Sequence, residues 1–218
     1  MTESVKKRRY DASRRRAAAE QTRAAVLRAA RELFTARGYA ATPVAEIARV
    51  AGVSVDTLYE TVGRKPQLLL AVHDLELAGG DAPVAAEQRD YVQQIRAAPT
   101  AAAKITTYTD ALARLLPKTV PLLDALRAAG EKDPACREVY QAVRERRAAN
   151  MRLFAADLRT TEELRDDLDD DTVADLVWSM NAPEYYLLIT SRGWTPEQYA
   201  AMVRDVWIRT LLRNPPPR

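Results

Sequence analysis

The chain has 218 residues, with 47% apolar and 29% charged residues and a formal charge of +3, the profile of an ordinary globular protein. One histidine, His73, and one cysteine, Cys136, exclude a disulfide within the chain and a zinc site built from several Cys or His ligands. Seven glycines in an alanine-rich chain leave little room for Gly-rich phosphate loops and point to an all-α fold.

The charge is unevenly distributed. Residues 1–65 carry 14 Lys or Arg against 7 Asp or Glu, and residues 66–218 carry 19 against 23. The basic excess starts in residues 1–19, where Lys6, Lys7, Arg8, Arg9, Arg14, Arg15 and Arg16 lie among hardly any large apolar residues. Such a segment buries too little surface to fold alone and is expected to be a flexible basic arm. No apolar run follows it, so a secretory signal is not expected. No stretch approaches the roughly 18 consecutive apolar residues that a membrane span needs. A cytoplasmic protein that engages no membrane and needs no cofactor or bound metal is the expectation.

Ordered pattern begins near Glu20. Val26, Leu27, Ala30, Leu33 and Phe34 share one helical face, and Gly38 stops that helix. Thr42 and Pro43 are expected to open a second helix, as N-cap and first helical residue, with Val44, Ile47, Ala48 and Ala51 inward. Gly52 turns the chain, and Ser54 caps a short third helix with Leu58, Tyr59 and Val62. A fourth runs from Pro66 to about Ala78. Two short helices joined by a glycine turn within about twenty residues have the anatomy of a helix-turn-helix. Val55, Asp56 and Thr57 lead the second of them, where a recognition helix meets base edges.

Beyond residue 79, Pro99, Pro117, Pro121, Gly130 and Pro134 are expected to divide a series of helices, with a long one from Pro134 to about Leu158. The aspartates at 166, 167 and 169–171 resemble a metal loop only superficially. An EF-hand counted from Asp167 would have Thr172 and Trp178 where glycine and glutamate are needed. A solvated loop ending in an N-cap is expected instead. Asn181 and Pro183 should kink or restart a helix, and Thr195, Pro196 and Gln198 should open the last one.

Residues 22–70 resemble the DNA-binding domain of TetR/AcrR-like transcriptional regulators. The matching residues are Ala29 to Phe34, Gly38-Tyr39, Ile47-Ala48, Ala51 to Ser54, Thr57 to Tyr59, Lys65 and Leu68-Leu69. Pro43, Asp56 and Val62 depart from the usual pattern. The resemblance implies a sequence-specific regulator rather than an enzyme. Its expected form is a ligand-responsive repressor that binds a palindromic double-stranded DNA operator as a homodimer. A sequence-tolerant nucleoid-type DNA binder is the alternative.

The resemblance implies that Tyr59 and Lys65 hold backbone phosphate, that Thr42 and Val44 lie near the groove edge, and that Val55, Asp56 and Thr57 face bases; Ser54, the cap of the third helix, is a further DNA-binding candidate. The implied layout is a basic arm over 1–19, a helix-turn-helix head over 20–79, a ligand-binding and dimerisation domain over 80–213, and a disordered tail over 214–218. Tyr91, Tyr108, Phe154, Trp178 and Tyr185 are candidate linings for an apolar or aromatic effector. Val203, Val206, Trp207 and Leu211, on the last helix, are candidates for a dimer interface.

Overall fold

A computed structural model describes the backbone of residues 3–80 and 84–214 and the side chains of 14–80 and 84–214. Among the described residues the regular structure is helical, apart from one isolated antiparallel bridge between Leu164 and Leu212. The chain divides into two compact units, one running to Leu75 and the other starting at Val84. The last turn of the fourth helix, Glu76–Ala78, groups with the second unit.

The first unit is built from α1 (Glu3–Arg37), α2 (Val44–Ala51), α3 (Val55–Val62) and the body of α4 (Lys65–Ala78). Val26, Leu27, Ala30, Leu33 and Phe34 of α1, Ile47 and Ala48 of α2, and Leu58 of α3 are buried. So are Leu68, Leu69 and Val72 of α4. This is the small core that the apolar spacing predicts.

Two expectations about this unit are corrected. The arm does not precede the first helix as irregular chain, because α1 is helical from Glu3 onward. Its Ala, Arg, Lys and Glu content favours helix, and extending a helix that the core already nucleates adds no new nucleation cost. Arg16 Nε also lies 3.1 Å from Glu20 one turn on. The side chains of Lys6, Lys7, Arg8 and Arg9 lie outside the described residues. The second correction concerns α2, whose N-cap is Pro43 and not Thr42.

The second unit contains a short 3-10 turn at Ala86–Gln88, then α5 (Asp90–Ala97), α6 (Ala101–Ala129), α7 (Pro134–Arg159), α8 (Asp170–Met180), α9 (Pro183–Thr190) and α10 (Pro196–Leu211). Helix α6 is the central element, packed against α5, α7, α9 and α10, while α8 lies along α7. The buried core includes Ile105, Leu112, Leu116, Phe154, Leu158, Val173, Val177, Tyr199, Val203, Trp207 and Leu211.

Pro117 and Pro121, expected to separate helices, lie inside α6. Each removes an amide donor, at a cost of about 3 kcal/mol in a helix interior. Burying Leu116, Val120, Leu123 and Leu126 along the same face offsets that cost, at roughly 1.5–3 kcal/mol per large side chain. Asn181 is also not an N-cap. It ends α8, and Ala182 caps α9 with Pro183 in the first turn. The last helix starts as expected, with a capping box between Thr195 and Gln198.

The aspartate-rich stretch is a capped helix start. Asp169 accepts a hydrogen bond from the Thr172 amide at 2.7 Å, which holds its carboxyl below the usual carboxylate range. Arg165 pairs with Asp167 and Arg159 with Asp170, at 2.6 and 2.8 Å. Residues 215–218 of the expected tail lie outside the described residues.

Candidate functional site

In the head, Gly52 takes the left-handed conformation, at φ 71°, and closes α2. The Val53 amide then donates to the Ala48 carbonyl at 3.0 Å. Ser54 starts α3 immediately: its hydroxyl accepts from the Thr57 amide at 3.0 Å and lies 2.8 Å from the Thr57 hydroxyl. With Leu58 buried underneath, α3 leaves Asp56, Tyr59 and Glu60 exposed, and Val55 and Thr57 half-buried. Tyr59 is 43% exposed, so its ring is free to meet a partner. Arg23 of α1 donates to the Thr61 carbonyl at 2.8 Å and fixes the far end of α3.

Lys65 opens α4, and its ammonium sits 4.3 Å from the centre of the Tyr39 ring. This cation–π contact is worth roughly 0.5–1 kcal/mol at an exposed site, and it holds the charge near the helix start. Thr42 is fully buried, and its hydroxyl donates to the Gly38 carbonyl at 2.7 Å. That burial takes Thr42 out of the candidate contact set and gives it the task of tying the end of α1 to the start of α2. Val44 is half-buried and Ser54 exposed. Arg14, Arg15 and Arg16 are exposed on the N-terminal part of α1.

In the second unit the candidate effector residues fall into one cluster: Tyr108 and Phe154 are buried in the core, and Tyr91, Trp178 and Tyr185 pack half-buried against it. Tyr108 of α6 meets Phe154 edge-on at 5.0 Å and stacks on Trp207 at 5.9 Å. Its phenol donates to the Met151 sulfur at 3.5 Å and accepts from Asn181 Nδ2 at 2.8 Å. Burial pushes the Tyr108 phenol well above the usual tyrosine range. Arg147 Nη2 donates to Asn181 Oδ1 and, at 3.3 Å, to the Trp178 carbonyl.

The Arg144 and Arg147 guanidinium groups lie 5.5 and 5.9 Å from the centre of the Trp178 ring. Burial lowers the Arg147 guanidinium from its ordinary pKa. Tyr140 donates to Glu184 Oε1 at 2.5 Å, and burial followed by that bond raises its phenol to about 12. Tyr185 and Tyr186 pack on Tyr199, whose phenol donates to the Met180 carbonyl.

Sequence reasoning missed Asn181, Arg147 and Met151 as members of this cluster. An asparagine at a helix break reads as a cap, and arginine and methionine within α7 carry no distinguishing pattern. The only available signal was the irregularity at Asn181–Pro183. The dimer-interface candidates are corrected: Val203, Trp207 and Leu211 are at most 1% exposed within their own subunit. Their side chains form the core between α6 and α10, so a partner chain cannot reach them. Val206, at 36%, is the exposed member.

Among the described residues, no group of three or more His, Cys, Asp or Glu is placed to hold a metal ion. Nor is any helix among them long and apolar enough to cross a membrane.

Residues 26–72 match the profile of the family described as bacterial regulatory proteins, tetR family. No curated protein matches the chain by sequence. Among solved structures, one from Saccharomonospora viridis in complex with choline superposes with a TM-score of 0.67 at 17% identity, covering 89% of this chain and 100% of the other. NalD, the secondary repressor of the MexAB-OprM multidrug efflux pump in Pseudomonas aeruginosa, gives 0.60 at 20% identity, covering 90% and 99%. The SmeT–triclosan complex gives 0.62 at 15% identity, covering 88% and 92%; SmeT is the repressor of the Stenotrophomonas maltophilia efflux pump SmeDEF. At these identities the structures share the fold. The tetR-family profile is thus matched on the helix-turn-helix head, and the fold of these regulators is shared over most of the chain.

Proposed function

We propose that the protein is a ligand-responsive repressor that binds a palindromic operator as a homodimer. The observation that carries this reading is the geometry of α3, a helix started by Ser54 directly after the Gly52 turn and held from beneath by Leu58. Its leading residues and Tyr59 are left for DNA. Val55, Asp56 and Thr57 face base edges. The threonine methyl suits thymine, and Asp56 accepts from cytosine N4. Tyr59 and Lys65 contact phosphate, Lys65 with help from the positive end of the α4 dipole. Val44 and Ser54 approach the groove edge. Arg14, Arg15 and Arg16, and the Lys6–Arg9 run before them, add sequence-independent attraction to the backbone.

Dimerisation places two heads on half-sites about 34–36 Å apart or a multiple of that. Leu187 and Leu188 of α9 and Val206 of α10 are exposed and offer apolar surface for it. Effector bound in the second unit favours a state with lower affinity for DNA, which releases the operator.

Footprinting of the purified protein on the DNA upstream of its own gene tests the reading. A protected palindrome whose two halves share one face of the duplex is the expected result. Uniform protection without a preferred site would replace it with the sequence-tolerant binder, and failure to bind any DNA would overturn both.

A further inference from the structure

Helix α3 is acidic on the face it turns outward. Its eight residues include Asp56 and Glu60 and no lysine or arginine. Leu58, fully buried, fixes which face points inward. Asp56 and Glu60 each lie two residues from Leu58, about 160° around a helix that turns about 100° per residue. The two acids are therefore stacked one turn apart on the outermost line of α3, both exposed, with Tyr59 exposed and Thr57 half-buried on either side.

Neither carboxylate is neutralised within the head. The third acid of the helix-turn-helix, Glu46 on α2, accepts from Arg37 at 2.6 Å and lies 3.8 Å from Arg49. Among the described residues Asp56 and Glu60 have no ion pair or hydrogen bond of this kind. Helix stability accounts for only one of them. Asp56 stands in the first turn, where the helix dipole favours an anion. Glu60 stands in the last turn, where the dipole opposes it, and its neighbour one turn back is the like charge of Asp56. An acid that works against its own helix, on the face a recognition helix turns to a polyanion, has its use in what it contacts.

A carboxylate can only accept, and the major groove shows donors at few places. Cytosine presents its N4 amino group alone, adenine sets the N7 acceptor beside its amino group, and guanine and thymine present acceptors. Cytosine is thus the base edge that suits a carboxylate. Four residues of helix rise about 6 Å against about 3.4 Å per base pair, so the two acids span about two base steps.

We infer that Glu60 is a specificity-determining residue of the DNA site. With Asp56 it forms a two-carboxylate reader that selects half-sites with two cytosines on one strand, about two base steps apart. The inference rests on the reading of α3 as the recognition helix of a sequence-specific repressor and names the bases which that helix selects. Where both cytosines are present each acid has a donor. Elsewhere each acid meets acceptors and phosphate charge, and the wrong sequence is rejected by repulsion. Arg64, exposed at the start of α4, and Lys65 beside it supply the attraction to the backbone that α3 lacks.

The test is selection of binding sites from randomised duplex DNA by the full-length protein and by Glu60→Gln and Asp56→Asn, each close to isosteric. The wild type should enrich an inverted repeat with the cytosine pair in each half. Glu60→Gln should relax one of the two cytosines and shift that position toward adenine, whose N6 and N7 suit an amide; Asp56→Asn should do the same at the other. Placing N4-methylcytosine at either position keeps the pair with guanine and replaces only the groove-facing hydrogen. It should lower wild-type affinity about ten-fold, a readout that needs no variant to fold.

An inverted repeat without the cytosine pair, or one selected unchanged by Glu60→Gln, would overturn the inference and leave the repressor reading standing. So would a uniform gain in affinity for all DNA in Glu60→Gln, which would make the acid a source of repulsion only. No enriched site, or no DNA binding by the wild type, would overturn the sequence-specific reading itself.

Discussion

At the scale of single residues, threonine and tyrosine in the head have opposite tasks although both belong to the motif. Thr42 is fully buried with its hydroxyl 2.7 Å from the Gly38 carbonyl, whereas Tyr59 is 43% exposed. Thr42→Val keeps the shape and removes the donor, so it should cost about 1 kcal/mol of stability. It should leave the dependence of DNA affinity on salt untouched; thermal unfolding and binding at several salt concentrations separate the two effects. Tyr59→Phe and Lys65→Ala should behave in the reverse way, with weaker binding to every sequence. For Lys65→Ala the slope of log affinity against log salt should fall by about one, as for one lost phosphate contact. An unchanged slope would remove Lys65 from the phosphate contacts. Thr57→Ala belongs to a third class: it should change preference among operators, which competition between variant sites would detect.

At the scale of elements, local signals were legible where a helix start or stop depends on nearby chain. Gly38 and Gly52 both take positive φ, at 78° and 71°, and Ser54 and Thr195 cap the helices their positions predict. Ser54→Ala should therefore destabilise the head by about 1 kcal/mol and weaken specific binding, read by denaturant unfolding and by retardation of operator DNA. What was not legible depended on tertiary context. Pro117 and Pro121 read as breaks, yet the apolar face of α6 carries the helix through both. The arm read as irregular because it lacks apolar residues, yet it extends a helix nucleated by the head.

Lys104 is another element-scale feature without a sequence signature. It is buried, and its ammonium donates to the Ile95 and Arg96 carbonyls at the end of α5 and to Asp157 of α7 at 2.9 Å. Lys104→Ala would leave these acceptors unpaired and should cost about 2–3 kcal/mol, measured as a lower denaturation midpoint of the second unit. A loss below about 0.5 kcal/mol, the range of an ordinary surface substitution, would show that the clamp contributes little.

At the scale of the whole molecule, the charge is divided along the chain: the basic excess lies in residues 1–65 and the acidic excess in the rest. Assembly depends on surface that sequence periodicity alone misassigned. An amphipathic stripe on α10 cannot reveal whether its apolar side meets its own subunit or another, because both burials select the same spacing. In the folded chain that side is spent internally, with Trp207 stacked on Tyr108 at 5.9 Å and Val203 and Leu211 fully buried. Trp207→Glu would place a carboxylate in an apolar core, so it should unfold the second unit rather than yield a folded monomer. Leu188, at 62% exposure, and Val206, at 36%, are free within the subunit, and a charge there should leave the fold intact. The double variant Leu188→Glu, Val206→Glu should therefore sediment as a folded monomer with unchanged helical circular dichroism. It should retain weak binding to a single half-site and lose most of its affinity for the palindrome, because two heads no longer bind as one unit. If the double variant remains a dimer in sedimentation, the interface lies on another face of the molecule.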